Sequence, residues 1–325
     1  MNCVKMRRTL RGRARLLKSL LRRSFLNVYL LRGHYKDTPL RVLIVDDGSV
    51  LPYIKKPIFS SEPEMTKKGR ILSVLAPRLS QADADLVIVG ANQFLLRLYK
   101  GRGFLFIPKW VHLFLPLPAH PDDMVASLNS SAREDLRRNV RRMKEDGFEY
   151  HVTNDESWLD EFYNRMYVPY TRARHGQYAR VRSRETIKKS YDRGFGFVVT
   201  QHGRQVAGAV LLLEGKTTWC AYMGVLNGDV ALAHNGAIVA LYYYRQVHAY
   251  NIGCTGIDFG DSKPFLSESN LRYKLRWGMQ ILNVDQSIGV YALAAPGNTE
   301  AAMRFLSENP FYHITAKGIE LSNDY

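Results

Sequence analysis

Three consecutive apolar runs joined by short glycine-containing turns constrain the fold of this chain most strongly. The runs span residues 195–201, 205–213 and 217–225, and the turns span 202–204 and 214–216. Runs of this length with tight turns predict an antiparallel meander. A long helical stretch at about 233–250 and a strand at about 255–259 follow. This part of the chain is therefore predicted to be an α/β (α+β) structure with a mixed, mostly antiparallel sheet flanked by helices.

A smaller α/β unit is predicted ahead of the meander. Buried strands are expected at 42–45, 85–90, 104–107 and 111–117, a helix at 91–100 and a polar loop at 60–69. From residue 122 the pattern changes, and Ser and Asp residues are natural N-caps for helices at about 130–146 and 156–167. We therefore expect an N-terminal α/β lobe over 38–121 and a C-terminal domain over 122–325.

Positive charge is concentrated at the amino terminus. Residues 1–36 contain eleven Lys or Arg and no Asp or Glu, so they carry +11 of the net +16. Seven apolar residues are spaced to gather on one helical face: Leu16, Leu17, Leu20, Leu21, Phe25, Val28 and Tyr29. The pattern predicts a basic amphipathic helical arm over 1–37. Residues 1–36 can lie on an anionic membrane surface, contact tRNA or dock an acidic carrier protein, and a solvated arm is the alternative.

Cysteine spacing and hydropathy limit which cellular compartments and which cofactors are expected for this protein. Cys3, Cys220 and Cys254 form no CxxC pair and no Cys/His cluster, so no metal site is expected. The sequence contains no window of about 18 uncharged apolar residues, so no membrane-spanning helix is predicted. We expect a cytoplasmic protein, with peripheral association at the inner membrane surface as a further possibility.

The order of helix, helix, three antiparallel strands, long helix and strand resembles the GNAT acyltransferase fold. The resemblance rests on the basic helix 133–142, the strand 203–213, the stretch 224–237, and Ile257-Asp-Phe-Gly-Asp-Ser262 followed by Leu271-Arg-Tyr-Lys-Leu-Arg-Trp-Gly278. The last two motifs, together with 166–175, resemble the FemAB-like branch of that superfamily. The resemblance extends roughly from 135 to 325. Because members of this branch often carry two related lobes, it implies two GNAT-like lobes here.

The resemblance implies transfer of an acyl group from acyl-CoA or acyl carrier protein to an amine of an amino acid, amino sugar or peptide. One motif departs from the GNAT pattern. The loop that holds the CoA pyrophosphate reads Gln/Arg-x-x-Gly-x-Gly/Ala in GNAT enzymes, and only Gly236 fits in Ala233-His-Asn-Gly-Ala-Ile238. FemAB-like enzymes that use aminoacyl-tRNA also lose this motif. Two alternatives are therefore an aminoacyl-tRNA-dependent transferase acting on a peptide or cell-wall precursor, and a non-catalytic GNAT-shaped binding protein.

Three residues of the FemAB-like motifs are candidates for catalysis. Asp258 ends a strand and can accept the substrate ammonium or act as a base, or it caps the loop that follows. Lys274 can bind a carrier phosphate or stabilise charge on the carbonyl, or it is a surface lysine. Tyr273 can protonate a leaving thiolate, or it is a core aromatic residue.

Six further residues are assigned to cofactor binding. The end of the strand before the long helix can offer a backbone N–H to the oxyanion. A helix starting near Asn235 would present free N–H groups to a phosphate, although Asn235 can equally be a simple N-cap. The cofactor-binding candidates are Tyr222, Gly224, Val225, Asn235, Gly236 and Ala237.

Basic and aromatic residues on two helices are assigned to the substrate. The first group belongs to an arginine stripe on one helix, and the second follows the helix ended by Pro169. Both can recognise phosphate or an acidic acceptor, and a solvated surface is the alternative for each. The substrate-binding candidates are Arg138, Arg142, Tyr170, Arg174 and His175.

Overall fold

The computed structural model describes residues 25–47, 58–91, 93–120, 123, 130–176, 179–282 and 289–322. The chain divides into two compact units. The first comprises residues 1–111, 262–271 and 283–325, and the second comprises 112–261 and 272–282. This division differs from the predicted one, because a strand near the carboxy terminus pairs with strands of the amino-terminal unit.

The secondary structure is as follows. The described strands are β1 (Phe25–Tyr35), β2 (Thr38–Asp46), β3 (Glu64–Leu72), β4 (Leu86–Ala91), β5 (Leu105–Pro108), β6 (Val111–Pro116), β7 (Phe148–Thr153), β8 (Gly194–Gln201), β9 (Arg204–Glu214), β10 (Thr217–Val225), β11 (Gly256–Ser262), β12 (Gln280–Leu282), β13 (Val290–Ala294), β14 (Tyr312–Thr315) and β15 (Gly318–Leu321). The described α-helices longer than one turn are α1 (Ser130–Glu145), α2 (Glu156–Glu161), α3 (Val168–His175), α4 (Arg184–Tyr191), α5 (Ile238–Asn251), α6 (Ser269–Arg276) and α7 (Glu300–Glu308). Wide π-helical turns at Phe162–Tyr167 and Ala233–Ala237 precede α3 and α5.

The first unit is built on a sheet in the order β3-β1-β2-β4-β13-β5. β2 and β4 are parallel, and the other pairings are antiparallel. The continuous apolar run of β2 packs on both faces, since Val42 and Ile44 join one core cluster and Leu43 and Val45 the other. A run buried on both faces is typical of a central strand.

Three local predictions in this unit differ from the structure. Phe25, Val28 and Tyr29 do not lie on a helical face, because β1 is hydrogen-bonded to β2 on one side and to β3 on the other. Residues 60–69 do not form only a loop, because β3 starts at Glu64 and pairs at the sheet edge, where charged residues are tolerated. The remainder of the predicted arm, residues 1–24, lies outside the described part of the chain. The helix predicted at 91–100 is a short 3₁₀ segment, Gln93–Leu98.

The second unit is built on a sheet in the order β12-β6-β11-β10-β9-β8-β7. The predicted meander is confirmed, because β8, β9 and β10 pair antiparallel in succession. The connections place Gly203 and Gly215 at φ +75° and +61°, a region where glycine pays no steric penalty. β10 and β11 are parallel, so the sheet is mixed and mostly antiparallel as predicted.

Helices cover both sides of this sheet. Trp158, Phe162 and Met166 pack with Val198 and Val210 in one core cluster on one side. On the other side, α5 places Tyr244 and His248 against the ring of Tyr150. None of the helices among the described residues is both long and apolar enough to cross a bilayer.

Candidate active site

The parallel strands β10 and β11 separate soon after they begin. Residues Thr217–Trp219 pair with Gly256–Asp258, and both strands then continue beyond this short match. The β10 register against β9 shifts between Cys220 and Tyr222, which leaves Ala221 without a paired residue on β9. Ligands of mixed α/β sheets bind where parallel strands end and diverge. A ligand-binding site is therefore expected where β10 and β11 diverge.

One side of β11 carries a histidine between two carboxylates. His112 of β6 lies with Nε2 3.0 Å from Asp258 Oδ2 and Nδ1 2.9 Å from Asp261 Oδ1. The N–H of Gly260 donates to Asp258 Oδ1 at 2.6 Å. Both ring nitrogens thus face acceptor oxygens, an arrangement that an imidazolium satisfies with two donated hydrogen bonds. The three groups form one polar cluster at the end of the strand.

This side of β11 is open to solvent. The His112 and Asp258 side chains are 26% and 27% exposed. In register, Trp219 is the β10 partner of Asp258 and Leu282 is the β12 partner of His112, and these two large apolar residues are 37% and 39% exposed. Residues paired across neighbouring strands share a face of the sheet. We name the surface formed by Trp219, Asp258, His112 and Leu282 the open face.

The opposite side of β11 is packed with aromatic rings. The Phe259 ring lies 5.1 Å from that of Tyr242 on α5, and the guanidinium carbon of Arg245 lies 4.5 Å from the Phe259 ring centroid. Tyr273 and Trp277 place their rings 5.0 and 5.6 Å from Tyr242. Because successive side chains of a strand point to opposite faces, Asp258 and Phe259 belong to different sides. We name the cluster of Tyr242, Arg245, Phe259, Tyr273, Lys274 and Trp277 the buried face.

Lys274 is a buried residue that holds the end of β11. The residue is only 5% exposed. Its Nζ donates to the carbonyl oxygens of Phe259 at 2.7 Å, Asp261 at 3.2 Å and Gly260 at 3.4 Å. Burial, and then the positive charge of Arg245, lower the pKa of Lys274 to about 8. The alternative prediction of a surface lysine is wrong, because the Lys274 amine is bound by backbone carbonyls within packed side chains.

Tyr273 also lies inside the buried face. Burial raises the pKa of its hydroxyl to about 12. The indole N–H of Trp277 lies near enough to offset part of this rise in pKa. Neither the Tyr273 hydroxyl nor the Trp277 indole nitrogen makes a hydrogen bond of normal geometry among the described residues. Tyr170 and Arg174 of α3 act on this cluster electrostatically, since Tyr170 raises the pKa of Tyr273 and Arg174 lowers that of Lys274. Four predicted site residues are therefore near one another.

The cofactor candidates on β10 pack against helices. A Cβ on Gly224 would stand 2.4 Å from the backbone carbon of Met166, so this glycine permits the close approach of β10 to the wide turn before α3. Val225 is fully buried. The ring of Tyr222 meets that of Tyr167 edge-on, with centroids 5.4 Å apart.

A short helical turn precedes the helix that was predicted to start near Asn235. A single helical turn begins at Val230, and the Asp229 side chain accepts a hydrogen bond from the Leu232 N–H. The helical path is then interrupted by non-helical backbone at Asn235 and Gly236, the latter at φ +124°. A Cβ on Gly236 would lie 3.0 Å from the Phe148 ring. Ala237 is fully buried and directly precedes α5, which begins at Ile238, so the long helix starts close to the predicted position.

The other substrate candidates are on helix surfaces. Arg138 pairs with Asp135, and Arg142 Nε lies 3.6 Å from Asp146, so both contact acids on or next to α1. His175 is an exposed residue, yet partial desolvation and then Arg174 lower its pKa.

Three residues of interest were not predicted from the sequence: His112, Trp219 and Arg245. His112 lies between the buried residues Val111 and Leu113. Its outward position in a strand could therefore be predicted, but its hydrogen-bond partners could not. Arg245 stands in a helix rich in apolar residues and is 2% exposed, which is unusual for arginine. A lone charge in an apolar helical run was the only local signal.

Comparison with known proteins agrees with the resemblance stated above. Residues 130–275 match the family model described as "Acetyltransferase (GNAT) domain", which confirms the GNAT prediction. No curated protein sequence matches the chain. Among solved structures, FemX aligns with 81% of this chain and 83% of its own at 14% identity, with a TM-score of 0.44. L-PGS from Bacillus licheniformis aligns with 86% of this chain and 84% of its own at 13% identity, with a TM-score of 0.39.

Proposed function

We propose, from the premise that residues 130–275 are a GNAT acetyltransferase domain, that this protein is an N-acyltransferase. It would move an acyl group from a thioester carrier, acyl-CoA or acyl carrier protein, to an amine. The observation that carries this proposal is the Asp258–His112 pair on the open face, next to the divergence of β10 and β11. A carboxylate beside such an opening is where an amine and a carbonyl can be brought together.

The proposed reaction needs few groups. The acyl carbonyl would sit between the diverging strands, where the N–H of Ala221, at the register shift of β10, would polarise it. The acceptor ammonium would bind Asp258, with the Trp219 ring as a cation–π surface. Asp258 takes one proton from the ammonium, and the freed amine attacks the carbonyl carbon to form the N–C bond. The C–S bond then breaks, and the second proton of the nitrogen passes to the departing thiolate or to water, which leaves a neutral amide. Positioning of the two substrates supplies the largest share of the acceleration.

The neighbouring residues would keep Asp258 in position. His112 and the Gly260 N–H hold both carboxylate oxygens, and Lys274 fixes the carbonyls of the residues that follow. A thiolate with a pKa near 8.5 leaves without strong acid assistance, so Tyr273 is a weaker candidate for proton donor. Two groups of predicted residues remain parts of this proposal. The residues proposed to bind the acyl donor are Tyr222, Gly224, Val225, Asn235, Gly236 and Ala237. The residues proposed to bind the amine acceptor are Tyr170, Arg174 and His175.

An aminoacyl-tRNA donor is the second candidate, and two observations favour it. The Asp229 carboxylate accepts the Leu232 N–H and places negative charge at the start of the helical segment after β10, which disfavours a pyrophosphate there. The outer surface of α1 also exposes an arginine stripe of the kind that contacts phosphates: Arg137, Arg138, Arg141 and Arg142. Residues 1–36 would add to such a contact or to an anionic membrane surface.

Donor binding and turnover separate these candidates. The full-length protein would be screened by thermal shift against acetyl-CoA, a long-chain acyl-CoA, acyl carrier protein charged with the same chain, and aminoacyl-tRNA. An N-acyltransferase is stabilised by a thioester donor and releases free thiol only when an amine is added. Stabilisation by tRNA alone, lost steeply as salt is raised, selects the second candidate. Absence of turnover with every donor, although the protein is folded, supports the non-catalytic alternative and removes the proposal.

A further inference from the structure

The buried face holds two positive charges close together. Arg245 is 2% exposed and Lys274 is 5% exposed. They lie within electrostatic range, because Arg245 is the largest charge effect on the pKa of Lys274 after burial. Within the described ranges, neither side chain forms an ion pair with a carboxylate. Asp261 attracts Lys274 from a distance, but its carboxylate bonds to His112.

The donors of the two cations are used differently. The Lys274 amine is occupied by three backbone carbonyls. By contrast, Nε and Nη2 of Arg245 are buried and have no hydrogen-bond partner among the residues that the structure describes. These two nitrogens form one edge of the guanidinium, and their N–H bonds point in parallel. One face of the same group lies over Phe259, with the guanidinium carbon 4.5 Å from the ring centroid, so the edge is the part left for a ligand.

An unpaired buried guanidinium is costly to keep. Leaving a buried polar group without its hydrogen bonds costs about 1–3 kcal/mol, and more when the group is charged. A methionine or leucine at position 245 would pack in the aromatic cluster without this cost. The placement of the arginine is therefore easier to understand as part of a binding site than as part of the core.

The shape and charge of this edge favour one class of ligand. Two parallel N–H donors match the two oxygens of a planar carboxylate. A phosphate carries more charge and more oxygens than the two N–H donors of one guanidinium edge can satisfy. We propose that the Nε–Nη2 edge of Arg245 binds a carboxylate group, supplied either by the amine acceptor or by the transferred acyl chain. The site can be tested by binding alone and does not require the proposed transfer reaction.

The direct test uses acetate as the probe. Thermal shifts of the full-length protein would be measured in sodium acetate and in sodium chloride at equal ionic strength. We expect acetate to stabilise the wild-type protein, and Arg245→Met to weaken the apparent acetate affinity at least tenfold. Arg204→Met is the matched control, since Arg204 is exposed and lies at the start of β9, and it should keep the acetate response. Arg245→Lys keeps a charge but lacks the paired edge, so it tests the same point if Arg245→Met does not fold.

Three results would overturn the proposal: equal stability in acetate and chloride, an unchanged acetate response in both Arg245 variants, or stronger stabilisation by inorganic phosphate than by acetate. Two further arms identify the source of the carboxylate. Protection by glycine or alanine but not by ethylamine assigns it to the acceptor. Tighter binding of succinyl-CoA than of butyryl-CoA assigns it to the acyl chain. Acetate binding without turnover would keep this site and remove the transferase proposal, and turnover without an acetate response would do the reverse.

Discussion

The two sides of β11 use charged residues in opposite ways. On the open face, Asp258 and His112 are about a quarter exposed and hydrogen-bonded to each other, so the Asp258 carboxylate has a partner and can be reached from solvent. On the buried face, Arg245 and Lys274 are shielded from water and lack an acidic partner in the described part of the chain. A single strand thus separates groups suited to proton transfer from groups whose charge affects stability and anion binding. This comparison predicts that substitutions on the two sides give different kinds of effect.

The largest expected effect is on the open face. Asp258→Asn removes the carboxylate that takes the amine proton, and loss of a general base typically costs 10²-fold or more in rate, so we expect about a 100-fold fall in kcat/KM. The measurement is thiol release with the donor identified by thermal shift. Asp261→Asn is the matched control, because Asp261 contacts the same histidine from a more exposed position and should cost only a few-fold. Equal losses in the two variants, or none in Asp258→Asn, contradict the assignment.

His112 is expected to have the next largest effect, as a positioning residue. Its hydrogen bond to the Asp258 carboxylate is of the charge-assisted kind worth about 1.5 kcal/mol, so His112→Asn should lower kcat/KM roughly tenfold. Because the carboxylate remains but is less well held, the loss should lie mainly in the KM for the amine. A stability change without a change in KM would instead give His112 a purely structural role.

On the buried face, the expected effect is a pH-dependent stability. The pKa of Lys274 is lowered to about 8 in the folded protein, and that of an unfolded lysine is about 10.4. Between these values the folded state binds fewer protons than the unfolded state, so the unfolding free energy rises with pH. The rise from pH 7 to pH 9 should be about 1 kcal/mol.

Lys274→Met isolates this contribution. The difference in unfolding free energy between wild type and Lys274→Met, measured by urea denaturation at several pH values, should increase with pH by the amount given above. Lys216→Met is the control, because Lys216 is exposed and its removal should leave the pH dependence unchanged. A flat difference, or one that falls as pH rises, would show that the carbonyls of Phe259, Gly260 and Asp261 hold the amine fully protonated.

The two faces also differ in how far the sequence could predict them. The meander was predictable because its turns are local, with glycines at positive φ directly between apolar runs. The His112–Asp258 pair was not, since 146 residues separate its members and only the placement of β6 beside β11 joins them.

Residues with ambiguous local patterns were placed wrongly for similar reasons. Phe25, Val28 and Tyr29 fit a helical face and also a strand, and the pairing of β1 with β2 and β3 decides between the two. Lys274 was predicted either as a site residue or as a surface lysine. Its burial follows from the packing of α6 on the aromatic cluster, which no local pattern encodes.

The smallest expected effect concerns Tyr273, and it tests whether the buried face takes part in the chemistry. Its hydroxyl has a pKa of about 12 and no regular hydrogen bond among the described residues, so Tyr273→Phe should change the unfolding free energy by less than about 1 kcal/mol. Thiol release should change only a few-fold, because a thiolate needs no acid of that pKa. Tyr242→Phe is the control from the same cluster, since burial also raises the pKa of Tyr242. A 100-fold loss in Tyr273→Phe alone would make Tyr273 the proton donor and would place part of the reaction on the buried side of β11.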